Sequence, residues 1–187
     1  MKESLHIKNM VCDRCIEAVT EALQSAHIPF REVQLGQVSG VHANQQQLES
    51  LALYLQKRGF QLLEDSNEQW VSRIKTALLQ SILEPGLLGN QNHSTYLEQR
   101  LEKDYTSLSR IFSSSTGTTI EKHLINQRIE RAKELISYGE LSISEIANHL
   151  GYSSVQHLST QFKKIVGVTP SQYLKSNQLT RKGLDQV

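Results

Sequence analysis

The sequence predicts an α+β protein, with strands and helices in its first third and helices alone in the rest. Two observations carry this prediction. Up to Asp65, short segments of alternating apolar and polar residues are interleaved with segments whose apolar residues recur every three or four positions. From Asn67 onward only the second kind of spacing occurs. Successive strand residues face opposite sides and helix residues repeat every 3.6 positions, so the change of period marks a change of architecture.

The first 65 residues contain four predicted strands and two predicted helices. The strands are expected at 5–11, 30–35, 38–41 and 60–64, and the helices at 13–26 and 44–58. Pro29 breaks the first helix and Gly59 is a plausible stop for the second. The order β-α-β-β-α-β is the ferredoxin-like arrangement. We therefore predict a ferredoxin-like domain over residues 1–66.

The remaining chain is predicted to form seven helices. They are expected at 69–83, 94–103, 105–115, 118–138, 142–150 and 153–166, with a last one starting near Pro170. Gly139, Gly151 and Gly167 follow three of them, as glycines commonly do at helix ends. The stretch 85–93 is rich in Gly and Asn and predicts a loop. These features place a connecting helix and loop at 67–93 and an all-α domain at 94–187.

Composition narrows the class of protein without naming it. No apolar run approaches the roughly 18 residues of a membrane span, and the N-terminus lacks a secretory signal, so we expect a cytoplasmic protein without a membrane partner. Residues 1–65 hold 6 Lys+Arg against 8 Asp+Glu (net −2), and residues 66–187 hold 14 against 11 (net +3). This mild basicity permits DNA binding but does not argue for it strongly. No catalytic triad or phosphate-binding glycine loop is visible, so we do not expect an enzyme.

The helices at 105–115 and 153–166 each follow a short helix and a turn, which is the order of a helix-turn-helix unit. In such a unit the second helix enters the major groove of DNA. Each helix has an apolar spine on one side. The expected spines are Leu108, Ile111 and Phe112 in the first, and Val155, Leu158, Phe162 and Ile165 in the second. A plain amphipathic helix would show the same pattern, so the pattern alone leaves both readings open.

The polar residues outside these spines are the candidate DNA contacts. Ser and Gln suit base edges, whereas Lys and Thr suit phosphates. On the first helix the candidates are Thr106, Ser107, Ser109 and Arg110. On the second they are Ser153, Ser154, Gln156, His157, Thr160, Lys163 and Lys164. The expected partner is double-stranded DNA.

Four motifs resolve the ambiguity. They are YTSLSRIF followed by TGT (105–118), INQRIERAKELI (125–136), SISEIANHLGY (142–152) and FKKIVGVTPSQY (162–173). Together, over about residues 94–176, they resemble the DNA-binding domain of AraC/XylS-family bacterial transcription regulators. The resemblance implies two helix-turn-helix subdomains that are bridged by the long helix and read adjacent major-groove segments. It also implies a departure: the family usually has Phe-Lys where this chain has Phe112 followed by three serines. We therefore expect the second unit to dominate binding.

The N-terminal segment carries a second motif, M-x-C-x-x-C, formed by Met10, Cys12 and Cys15. Two thiolates at a helix start converge on one point, and soft sulfur favours Cu(I), Zn(II) or similar thiophilic ions. Closed structural zinc wants four protein ligands, and no His or acidic side chain obviously completes such a set. We expect a two-coordinate site or one shared between two chains. In a ferredoxin-like fold, residues near 35–37 and 57–60 would lie close to the cysteines.

Over residues 3–65 the element order and cysteine position resemble heavy-metal-associated domains, which have the copper-chaperone fold. Val11 departs from the Thr that is frequent there. The resemblance implies a transcription factor whose DNA binding responds to metal captured by Cys12 and Cys15. Three alternatives remain open: a redox dithiol, a metal-free dimerisation module, and a metal-transfer protein. A homodimer is also left open, because two helix-turn-helix units can bind DNA as a monomer.

Overall fold

The computed structural model describes residues 4–63, 66–88 and 91–176. Contacts between its Cα atoms divide the chain into two compact units. The first comprises residues 1–77 and 101–117, and the second comprises residues 78–100 and 118–187. This division falls inside a helix that runs from Ser66 to Leu83, whereas the sequence-based domain bounds lie at 66 and 94. Each unit is described separately below.

The first unit contains a four-stranded sheet. Its strands are β1 (Ser4–Lys8), β2 (Glu32–Gln34), β3 (Gln37–Ser39) and β4 (Gln61–Leu63). They lie in the order β2-β3-β1-β4, and every neighbouring pair is antiparallel. The pairing of Leu5 with Val38, and of Ile7 with Leu62, sets the register. The predicted order of strands and helices over this segment is confirmed, but each strand is shorter than the sequence pattern suggested.

Two helices belong to this sheet segment, α1 (Asp13–Ser25) and α2 (Gln45–Lys57). Helix α2 begins with a capping box: the Asn44 side chain accepts from the Gln47 backbone, and the Gln47 side chain accepts from the Asn44 backbone. The apolar faces of strands and helices form one core. Its fully buried members are Leu5, Ile7, Met10, Val19, Ala22, Leu23, Ile28, Val38, Val41, Leu51 and Leu55. This core fixes the turn between β1 and α1, where the cysteines lie.

The remainder of the described chain is helical. The elements are α3 (Ser66–Leu83), a short 3-10 helix (Pro85–Leu88), α4 (His93–Leu101), α5 (Tyr105–Thr116), α6 (Ile120–Tyr138), α7 (Ile143–His149), α8 (Val155–Val166) and α9 (Pro170–Ser176). The seven predicted helices are therefore present, each with bounds shifted by up to three residues, and the predicted loop at 85–93 contains the 3-10 turn. None of the described helices is both long enough and apolar enough to cross a membrane.

Helices α6 to α9 pack together in the second unit, with α8 in contact with α6, α7 and α9. Specific residues set the helix ends. Thr119, Ser142 and Ser154 cap the starts of α6, α7 and α8 through their side-chain oxygens. Gly139 and Gly167 end α6 and α8 in the left-handed conformation, which glycine adopts without a Cβ penalty. The start and the end of α8 are thus both defined by specific residues.

Candidate nucleic-acid interface and thiol pair

Helix α8 begins at Val155, two residues later than the sequence suggested. Ser154 has an extended backbone, and its hydroxyl accepts from the His157 backbone at 3.1 Å. Two of the predicted outward residues, Ser153 and Ser154, therefore lie in the turn that leads into the helix. The prediction missed this because serine was read as a surface residue of the helix when its chemistry favours the N-cap.

The buried side of α8 is narrower than the predicted spine. Leu158 and Phe162 are fully buried, and the Phe162 ring meets Tyr173 of α9 edge-to-face at 5.5 Å. Val155 is 38% exposed and Ile165 is 42% exposed, so both were wrongly assigned to the spine. All four residues lie on one face of the helix, because positions three and four apart are neighbours. Leu158 and Phe162 in the middle of that face are covered by the packed helices, whereas Val155 in the first turn and Ile165 in the last turn stay partly exposed.

The exposed side of α8 is polar and cationic. Gln156, Thr160, Lys163 and Lys164 are all exposed. Positions three and four apart on a helix are neighbours, so these side chains line one stripe. The Thr160 hydroxyl donates to the Gln156 carbonyl at 2.9 Å, which leaves its oxygen lone pairs available as acceptors. The arrangement offers a Gln amide near the helix start and two ammonium groups in the last turn.

His157 is exposed, but neighbouring groups engage both of its ring nitrogens. Nδ1 lies 3.2 Å from the Ser153 hydroxyl and Nε2 lies 3.2 Å from the Gln161 amide nitrogen. Its ring also meets Tyr152 edge-to-face at 5.3 Å. A contact from His157 to a base would have to replace one of these hydrogen bonds. We therefore regard His157 as a residue that orders the start of α8.

The other predicted DNA-contact residues lie on α5, in the first unit. Thr106 and Arg110, four positions apart, are exposed, whereas Ser107 and Ser109 are half-buried. Asp104 caps the helix by accepting from the Ser107 backbone at 2.8 Å. The backbone and the side chain of Ser107 both donate to the Asp104 carboxyl, and these hydrogen bonds hold its pKa below the usual range.

Hydroxyl groups near the C-terminal end of α5 donate hydrogen bonds to backbone carbonyls of the same helix. Ser113 donates to the Ser109 carbonyl at 2.6 Å, and Thr116 donates to the Phe112 carbonyl at 2.7 Å. Such back-bonding occupies the hydroxyl protons that would otherwise bind phosphate. Arg110 is the one exposed cationic side chain on the described α5, compared with two on α8.

The thiol pair lies where β1 leads into α1. Cys12 is the N-cap residue of α1 and is exposed, while Cys15 is half-buried in the first turn. Their Sγ atoms are 3.5 Å apart. A Zn–S bond is about 2.3 Å, so one ion can bond two thiolates up to about 4.6 Å apart. The pair lies within that reach.

The two segments expected near the thiols form hydrogen bonds to residues that precede the cysteines, Ile7 and Asn9. The Asn9 side-chain amide donates to the Gly59 carbonyl at 2.8 Å, and the Ile7 backbone donates to Gly36 at 3.0 Å. Arg58 Nη1 in the second of these segments lies 3.0 Å from Glu21 Oε2 of α1, and both side chains are substantially exposed.

The third residue of the motif, Met10, belongs to the core of the first unit and is 1% exposed. Its role as a ligand remains a prediction. Across the described ranges, no group of three or more His, Cys, Asp or Glu side chains has the arrangement of a metal site.

Comparison with known proteins bears on the helical part. A family model described as a helix-turn-helix domain matches residues 97–176. The transcriptional activator RhaR of Enterobacter sp. (strain 638) is 34% identical over 100 residues, which cover 52% of this chain and 35% of that protein. The Msm operon regulatory protein of Streptococcus mutans is 27% identical over 131 residues, covering 68% of this chain and 45% of that protein.

Among solved structures, the C-terminal domain of AraT, a response regulator from Geobacillus stearothermophilus, is 29% identical, with a TM-score of 0.50. The match covers 60% of this chain and 88% of that domain. The chain thus spans less than half the length of these two curated relatives but most of the C-terminal domain of AraT. Together with the motifs between residues 105 and 173, these matches show that residues 97–176 are a helix-turn-helix domain similar to parts of known transcription regulators.

Proposed function

We propose that the protein is a sequence-specific DNA-binding transcription regulator in which α8 is the main reading helix. The observation that carries this proposal is the exposed stripe of Gln156, Thr160, Lys163 and Lys164 on a helix capped at both ends. A Gln amide can make a bidentate contact with adenine, and Lys can pair with phosphates on either side of the groove. The RhaR and Msm relatives are named as regulators, which supports the same class.

The lysine pair provides a direct test. A preferred DNA site is first selected from random duplexes, and the affinity of the full chain for it is measured at several salt concentrations. Replacing Lys163 and Lys164 with Ala should lower the slope of log K against log salt by about 2, because each lost phosphate contact removes about 0.9. A charge-matched control is Lys8→Ala/Lys57→Ala, which removes two exposed lysines of the first unit. An unchanged slope in the α8 variant, or failure to select any site, would contradict the proposal.

The first unit suggests what regulates this activity. The β-α-β-β-α-β order and the β2-β3-β1-β4 antiparallel sheet support a ferredoxin-like domain of the heavy-metal-associated kind. The 3.5 Å separation of the Cys12 and Cys15 sulfurs supports capture of Cu(I) or another thiophilic ion such as Zn(II). We infer that the regulator responds to such an ion, which requires different metal affinities in its DNA-competent and incompetent states.

Metal titration separates this account from its alternatives. DNA affinity of the full chain is measured with and without Cu(I) under reducing conditions, for the wild type and for Cys12→Ser/Cys15→Ser. Sensing predicts a change of five-fold or more in the wild type alone, since coupling energies are typically about 1–3 kcal/mol. Metal binding without a change in DNA affinity favours metal transfer, and absence of metal binding favours a dimerisation module. A response to oxidant but not to metal favours a redox dithiol. His27→Asn serves as a control on the same domain.

A further inference from the structure

A cavity of about 400 Å³ lies within the second unit. It is bounded by the end of α3, the start of α4, one side of α6 and the last turn of α7. The lining side chains that matter here are Ile82, Leu88, His93, Arg128, His149 and Leu150. The volume falls in the range of roughly 300–1,000 Å³ that is typical of small-molecule sites. The DNA-contact stripe on α8 does not use this cavity.

Arg128 brings a cationic group to the wall of the cavity. Its guanidinium lies 5.7 Å from the centre of the Tyr152 ring. Between residues 4–63, 66–88 and 91–176, it forms no ion pair with a carboxylate. Burial lowers the pKa of this group, so its surroundings already disfavour the charge. A half-buried guanidinium of this kind is strongly stabilised by an anion that reaches its planar fork of donors.

Two imidazoles line the same cavity. Nε2 of His93 and Nε2 of His149 are buried, and neither has a hydrogen-bond partner among the described residues. Burial and the nearby Arg128 lower the pKa of His93 to about 4, so its ring is neutral near pH 7. A neutral imidazole can donate or accept one hydrogen bond at Nε2, depending on its tautomer. Buried polar atoms are usually hydrogen-bonded, so each Nε2 is available to a water molecule or to a ligand that occupies the cavity.

The rest of the wall is apolar. Ile82 and Leu150 are almost fully buried, and Leu88 is half-buried. A bare inorganic anion would satisfy Arg128 but leave this apolar surface unmatched, whereas a hydrocarbon would leave the guanidinium and the imidazoles unmatched. The combination fits a molecule with one oxyanion end and one apolar end.

We propose that this cavity binds a small organic carboxylate, with the carboxylate on Arg128 and its hydrocarbon part against Ile82, Leu88 and Leu150. The pairing of a planar guanidinium with a planar carboxylate gives two parallel hydrogen bonds. The imidazole at His93 or His149 supplies a third polar contact. The site is independent of the thiol pair, and it does not depend on whether α8 binds DNA.

Benzoate is a suitable test molecule because it combines both ends, and benzamide is its neutral counterpart of nearly equal shape. Binding to the full chain is followed by NMR through the Arg128 Nε–H and the Gly151 backbone amide. We expect benzoate binding to approach saturation by about 10 mM. A binding free energy of about −4 kcal/mol corresponds to a Kd of about 1 mM, and a ligand concentration of about ten times the Kd nearly fills a site. Benzamide should bind at least ten-fold more weakly. Inorganic phosphate should also bind more weakly than benzoate; tighter phosphate binding would overturn the organic ligand.

Variants complete the test. Arg128→Gln should abolish benzoate binding, whereas Arg110→Gln, which removes an exposed arginine on α5, should leave it unchanged. Loss of Arg128 could unfold the unit, so a second variant, Arg128→Lys, is included. It keeps the positive charge but lacks the planar set of guanidinium donors, and it should weaken benzoate binding about ten-fold. The preference for benzoate over benzamide is measured on the wild type and needs no variant. Equal binding of the two molecules, absence of saturable benzoate binding, or full binding by a folded Arg128→Gln protein would overturn the proposal.

Discussion

Lys133 Nζ lies 2.8 Å from Oε1 and 3.0 Å from Oε2 of Glu130, three positions earlier on α6. Only 9% and 10% of the two side-chain surfaces are exposed. Taking two charges out of water is costly, and their mutual attraction offsets this cost only when the geometry is good. The long helix at the centre of the second unit therefore contains an ion pair whose two members depend on each other.

Breaking this pair from one side should destabilise the protein strongly. Glu130→Gln leaves the Lys133 ammonium buried without its carboxylate, and we expect a loss of about 3 kcal/mol in the free energy of unfolding. The double variant Glu130→Gln/Lys133→Met should lose less than Glu130→Gln alone, because no unpaired charge remains. Urea unfolding followed by circular dichroism measures both, with the exposed Glu140→Gln as the control. A double variant that is less stable than the single would refute the coupling.

Gln156 should determine base preference, not general affinity. Its amide is exposed in the first turn of α8, where a base edge can be reached. Gln156→Ala should lose about 1–3 kcal/mol of discrimination at one base pair and leave the salt slope unchanged, since no phosphate contact is removed. Site selection repeated with the variant measures the change. If the selected sequence is the same at every position, Gln156 does not read a base.

The two recognition helices should contribute unequally. Arg110 is the exposed cation of α5, and the hydroxyls of Ser113 and Thr116 are bonded to their own helix. Arg110→Ala should therefore lower the salt slope by about 0.9, half of the effect of removing Lys163 and Lys164 together. The same salt titration compares them. A larger effect from Arg110→Ala would reverse the order of importance.

His93 should titrate far below an ordinary histidine. Its folded-state pKa is about 4, against 6.5 without burial and the nearby Arg128. Between these two values the unfolded chain binds more protons at this position, so stability should fall as the pH is lowered from about 6.5 to about 4. NMR of the ring protons gives the midpoint directly. His93→Asn should reduce the pH dependence of unfolding in that window, and a midpoint at or above 6.5 would contradict the burial argument.

Asp104 should also link stability to pH, through the start of α5. Its folded-state pKa is lowered by the hydrogen bonds from Ser107. The stabilising contribution is complete above the pKa of an unfolded aspartate, about 3.9, and is lost as pH falls through the lower folded-state value. Asp104→Asn keeps a cap but cannot titrate, so it should remove this acid dependence. Carbonyl NMR of the Asp104 side chain tests the direction of the pKa shift.

Most of the element order was predictable from the sequence because proline and glycine residues mark where helices and strands end. Pro29, Gly59, Gly139 and Gly167 ended segments whose apolar period was already clear. The start of α8 was misplaced because the outward appearance of serine does not distinguish a cap from a helix surface. The positions of Val155 and Ile165 were also wrong, since how much of a helix is covered depends on neighbours that are distant in sequence.

The two candidate sites, the thiol pair and the cavity at Arg128, also differ in how far the sequence predicts them. The closeness of Cys12 and Cys15 follows from their separation of two residues at a helix start, so it was predictable. The cavity at Arg128 was not, because it gathers side chains from α3, α4, α6 and α7 that share no sequence pattern. The division inside α3 was equally hidden, because a continuous helical period gives no sign that its two ends belong to different units.

The capping of α8 has an evolutionary consequence. Ser154, Gly167, Leu158 and Phe162 determine where this helix starts, where it ends and how it is held. The stripe from Gln156 to Lys164 takes no part in that task. On the proposed function, mutations in the stripe would change the preferred DNA sequence without a loss of stability to be compensated elsewhere. A duplicated copy of this gene would then need only a few substitutions in a single surface to prefer a different DNA sequence.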